Sequence, residues 1–64
     1  MNRIVLVVHG RHYSYEVVDK SGFFPSYGLR RSDGKYLGTY SERGRAIRRA
    51  YEEAGPDARE GRPA

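Results

Sequence analysis

The run Ile4-Val5-Leu6-Val7-Val8 constrains this chain more than any other feature. It is apolar at every position and β-branched at all but Leu6, so it reads as a strand, and alternation sends Ile4, Leu6 and Val8 to one side and Val5 and Val7 to the other. A strand apolar on both sides has to be covered on both sides. The chain has 64 residues and no cysteine. A domain near this size buries only about 60% of the surface its unfolded chain exposes, and here neither a disulfide nor a thiolate metal site can support it. The strand is therefore central in a sheet, or a second copy of the chain covers it, with Ile4, Val5, Leu6, Val7 and Val8 forming a homodimer contact. A membrane-spanning helix needs roughly 20 apolar residues and a signal-peptide core roughly 7 to 15. The run meets neither need, so the chain reads as a cytoplasmic protein with no membrane partner.

Turn signals cut the rest of the chain into short pieces. Gly10-Arg11 suits a tight hairpin leading into "HYSYEVVD", His12 to Asp19, where Tyr13, Tyr15 and Val17 alternate with Ser14, Glu16 and Val18. "DKSGFFPS" follows, and Pro25, which lacks a backbone donor, keeps it out of a central strand. Phe23 or Phe24 is expected to fold back over the core; the alternative is an exposed aromatic contact. Tyr27 to Arg31 and Tyr36 to Tyr40 read as strands joined by "SDGK", whose Asp33-Gly34 supplies positive-φ geometry.

From Ser41 the apolar period changes from two to 3.6. Stepping about 100° per residue gathers Ala46, Ile47, Ala50, Tyr51 and Ala54 into one stripe, the mark of an amphipathic helix. Ser41 is placed to cap its start, and Gly55-Pro56 to stop it. The expected fold is α+β: a small antiparallel sheet of three to four strands in the order β-β-β-β-α, with the carboxyl-terminal helix packed on one face. A single domain spans residues 1–55, and residues 56–64 are a polar tail expected to be disordered.

Charge then suggests what the exposed surfaces do. The net charge is +4, but residues 1–51 carry +6 and residues 52–64 carry −2. Ten of the twelve basic residues are arginine, whose planar fork of donors suits phosphates and carboxylates. One group, Arg30, Arg31 and Lys35 beside Tyr27 and Tyr36, sits on the hairpin, where interleaved cations and aromatics suit nucleic acid. Arg30 and Arg31 must point to opposite faces, so only one of them can share the open face with its neighbours. A second group, Arg43, Arg45, Arg48 and Arg49, loads the amino half of the helix. The helix dipole disfavours cations there, so helix stability does not account for them; they form an alternative patch for an anion or an acidic partner. Arg48 can pair with Glu52 and Arg49 with Glu53 at i,i+4.

The segment Tyr36-Leu37-Gly38-Thr39-Tyr40, followed by Ala50-Tyr51-Glu52, resembles the last strand and helix of plant AP2-type DNA-binding domains. The three-strand-plus-helix plan is also similar to the amino-terminal domains of some phage and transposon integrases. The resemblance covers about a third of the chain. It implies a sheet lying in the DNA major groove with the helix packed behind it.

No catalytic or cofactor pattern is present. His9 and His12 are too few ligands for a zinc site, and the glycines form no phosphate loop. The leading expectation is a small basic protein that is not an enzyme and takes no cofactor or metal. It would bind nucleic acid, duplex DNA, through Arg30, Arg31, Lys35, Tyr27 and Tyr36. The alternative is a protein-binding module or small phage-derived inhibitor that docks on an acidic protein through the arginine-rich helix or the apolar strand.

Overall fold

The computed structural model of the protein describes residues 2–61. Five strands and one helix follow in chain order: β1 (Arg3–His9), β2 (Ser14–Asp19), β3 (Tyr27–Arg31), β4 (Tyr36–Tyr40), α1 (Arg43–Ala54) and β5 (Arg59–Gly61). The strands form one antiparallel sheet in the spatial order β4-β3-β2-β1-β5. The helix packs across one face, as an α+β fold requires of an amphipathic helix. Ala46, Ala50 and Ala54 are buried against Val8, Tyr15, Val17 and Leu29, and Ile47, Leu37, Tyr27 and Tyr40 close the rim of this core. Three alanines on one stripe let the helix axis approach the sheet closely.

The fifth strand departs from the expected disordered tail. Arg59–Gly61 pair with Val7–His9, placing β1 inside the sheet between β2 and β5. Residues 62–64 of the expected tail lie outside the described residues. Within the chain itself Val8 is fully buried and Val7 nearly so, while Ile4, Val5 and Leu6 are half-buried.

A bulge also revises which way the run faces. The register with β2 shifts between Ile4 and Leu6. Ile4 lies opposite Val18, on the face away from the helix, while Val5 and Leu6 both pack toward the core. The extra residue of a bulge breaks strict alternation, so Ile4 does not share a side with Leu6 and Val8.

Two turns differ from expectation in how they are built. The first is longer than a tight hairpin, with β2 starting at Ser14 and the Gly10 N–H donating to Tyr13 O at 2.8 Å. Gly10 is required here by close approach. A Cβ at this position would stand 2.9 Å from Ala54 O and 3.0 Å from Ala54 Cα, at the end of the helix. The second turn is a three-residue loop, Ser32 to Gly34. Gly34 takes φ 95° and donates to Arg31 O at 2.8 Å, and the Arg31 N–H donates to Lys35 O at 2.8 Å.

The helix begins one residue later than a Ser41 cap would give. Glu42 is the N-cap residue, with extended backbone and no side-chain capping bond. Its carboxylate instead accepts from Arg45 Nε at 2.9 Å. Gly55 ends the helix at φ 86°, its N–H donating to Tyr51 O.

Candidate nucleic-acid interface

Strand alternation sorts the sheet residues into two faces. Toward the helix go Val8, Tyr15, Val17, Tyr27, Leu29, Arg31 and Tyr40. The opposite face has no helix over it. The registers place on it Arg59 and Gly61 of β5, Ile4, Val7 and His9 of β1, Ser14, Glu16 and Val18 of β2, Gly28 and Arg30 of β3, and Tyr36 and Thr39 of β4. Lys20, just past β2, folds back over this face.

The open face carries an aromatic–cation stack at its β4 edge. Lys20 Nζ sits 4.6 Å from the centroid of the Tyr36 ring. The stack is possible because Gly28 lies beneath it: a Cβ there would meet Lys20 Cδ at 3.2 Å and Tyr36 Cε1 at 3.3 Å. Arg30, cross-strand from Tyr36, is clamped by Glu16, with Arg30 Nε donating to Glu16 Oε1 at 2.8 Å. That bond and the adjacent carboxylate charge raise the Arg30 pKa above its ordinary value. Among the described residues the face carries three cations, Lys20, Arg30 and Arg59, against one carboxylate, Glu16. Farther along it, His9 Nδ1 and Ser14 Oγ lie 2.8 Å apart. This pair is exposed to solvent, and His9 lines an open cavity with Gly10, Arg11, Asp57 and Arg59.

The five residues expected to form a nucleic-acid site do not share one surface. Arg30 and Tyr36 lie together on the open face. Tyr27 and Arg31 lie on the helix side, and Lys35 projects from the turn. Arg31 is also occupied. It donates to Asp33 through Nε at 2.9 Å and through Nη2 at 2.6 Å, and its guanidinium carbon stands 4.2 Å from the Tyr13 ring centroid. The Arg31 bonds hold the Asp33 carboxyl down to about 2, and the same contact raises the Arg31 pKa. Lys20 and Arg59 were not among the expected residues. Lys20 sits in a turn with no strand pattern to give it a face, and Arg59 belongs to a strand too short to show a period.

On the wheel Arg45, Arg48 and Arg49 point away from the sheet, whereas Arg43, in the first turn, shares the angle of the buried Ala46, Ala50 and Ala54. Arg45 pairs with Glu42, and Arg49 Nε with Glu53 Oε2 at 3.2 Å. Among the described residues Arg43 and Arg48 have no carboxylate partner, so the expected Arg48–Glu52 pair does not form. The described residues hold no group of three or more histidines, cysteines or acids placed to bind a metal, and no helix long and apolar enough to cross a membrane.

The chain matches no family model, no curated protein and no solved structure.

Proposed function

We propose that the protein is a small cytoplasmic nucleic-acid-binding module, not an enzyme, that receives duplex DNA on its open sheet face. The observation that carries this reading is the cluster at the β4 edge of that face, where Tyr36 is held between Lys20 and Arg30, with Arg59 on the opposite edge strand. Long cations reach phosphates, and the exposed Tyr36 ring and the small neighbour Thr39 let a backbone or base edge approach. The helix behind the sheet is the arrangement that the AP2-type resemblance implies. The contact set is Lys20, Tyr36 and Arg59, with Lys35 at the rim; Arg30, braced by Glu16, supports Tyr36, and Arg31 and Tyr27 serve the fold.

Titration of a short duplex at increasing salt tests the proposal. Binding should be readily measured in low salt and fall linearly on a log–log plot, with a slope of roughly −0.9 per phosphate neutralised. Undetectable binding in low salt sinks it. A second reading has its own observation: Arg48, exposed and without a carboxylate partner among the described residues, lies with Arg45 and Arg49 on the helix side away from the sheet. An acidic protein seated on the helix would use these three. Replacing Arg45, Arg48 and Arg49 with glutamate should then abolish protein capture, and should weaken DNA binding only through net charge.

A further inference from the structure

The loop between β2 and β3 leaves two large apolar side chains in water. Phe23 is 102% exposed and Phe24 81%. The expectation that one of them folds over the core is therefore overturned. The cause lies in the loop's own bonding. Lys20 N–H donates to Ser26 O at 2.8 Å, closing the loop at its base. Inside it, Ser21 N–H donates to Asp19 Oδ1 at 2.9 Å and Ser26 N–H to Ser21 Oγ at 3.1 Å. Gly22 N–H also reaches Phe24 O at 3.3 Å. The backbone is thus satisfied without the phenylalanines, and Pro25 fixes φ just after them. Two exposed rings on a braced loop form a preorganised contact, with little ordering cost left for binding.

The surroundings indicate what they contact. Lys20 at the loop's base is the same lysine that covers Tyr36 on the open face, and Arg3 lies cross-strand from Asp19 on the other side. The one carboxylate here, Asp19, is engaged by Ser21, whose hydrogen bonds lower its pKa. Apolar rings bordered by cations fit a polyanion that also has flat apolar faces. Nucleic acid is such a ligand, with phosphates for Lys20 and Arg3 and bases for the rings. We infer that Phe23 and Phe24 stack on bases that leave the helical stack, at a flexible or unpaired step beside the duplex held on the sheet. The inference rests on the nucleic-acid reading and gives it a target: a duplex with a locally unstacked base. Aromatic wedges of this kind exploit the low cost of opening pyrimidine–purine steps or bulges.

The test uses the intact protein and two short duplexes carrying 2-aminopurine, one fully paired around a central TA step and one with a single unpaired base beside it. The wild-type protein should raise the 2-aminopurine fluorescence and bind the bulged duplex about tenfold or more tighter than the paired one. Phe23→Ala/Phe24→Ala should keep its affinity for the paired duplex, its salt slope and its melting curve, and lose both the preference and the fluorescence rise. Phe23→Leu/Phe24→Leu retains apolar area without rings and should lose them too. Persistence of the preference in either double variant overturns the inference, as does equal wild-type binding to both duplexes with no fluorescence change. Failure of the wild-type protein to bind either duplex removes the sheet-face reading itself. Phenylalanine-dependent binding to phosphatidylserine-containing vesicles, with DNA binding indifferent to the loop, overturns the inference in favour of a bilayer contact.

Discussion

The two faces of the sheet are made by alternate residues of the same strands, yet they meet opposite demands. On β3, Leu29 is fully buried under the helix, while its neighbours Gly28 and Arg30 face away from it. The helix side is held by apolar volume: Val8, Tyr15, Val17, Leu29 and the three helix alanines. The open side has a small apolar floor, Val7 and Val18, under a layer of polar and charged groups. Apolar burial is concentrated on one side of the sheet and charge on the other. Substitutions one residue apart should therefore have separable effects.

The largest expected effect is on the helix side. Leu29→Ala removes a fully buried side chain between helix and sheet and should cost about 2–5 kcal/mol. That is a large part of the roughly 5–15 kcal/mol that small domains possess. Thermal or urea unfolding should register it, with DNA affinity changing only as the folded fraction changes. Loss of affinity in protein that is still folded would break the separation of the faces. Next in size is Lys20→Gln with Arg59→Gln. The melting temperature should hardly move, whereas the salt dependence of DNA binding should lose up to about two phosphate contacts. An unchanged slope would place the contact surface elsewhere.

The smallest effect concerns the Asp33–Arg31 pair at the turn, which belongs to the fold. Asp33 is depressed from its ordinary value of 3.8 to about 2. A carboxyl lowered by folding contributes stability above its unfolded pKa and loses it as pH falls through the folded one. The melting temperature should therefore decline between about pH 4 and pH 2, and Asp33→Asn should flatten that part of the profile. If the substitution leaves the acid limb unchanged, the pair has no structural role and Arg31 becomes available for binding.

Most of the architecture could be read from residue order. The two-sided apolar run, the Asp33-Gly34 turn and the alanine stripe at helical spacing each fix a local conformation through neighbours close in sequence. Those features suffice for four strands, a terminal helix and one covered face. The site was legible only in part. Parity separates Arg30 from Arg31, but it does not say which of them faces the helix. The Val5 bulge and the short β5 strand, which set the edge of the open face, leave no periodic trace.

The sequence by itself determined four of the five strands and the helix, and that one sheet face would be covered, because hydrophobic spacing and turn chemistry act over a few residues. Only the tertiary structure decided that Arg31 and Asp33 satisfy each other, that Lys20 joins Tyr36 over Gly28, that Arg59 reaches the open face, and that Phe23 and Phe24 stay in water. These outcomes depend on strand register and on which hydrogen bonds a loop can close. Both are settled when distant parts of the chain compete for the same partners.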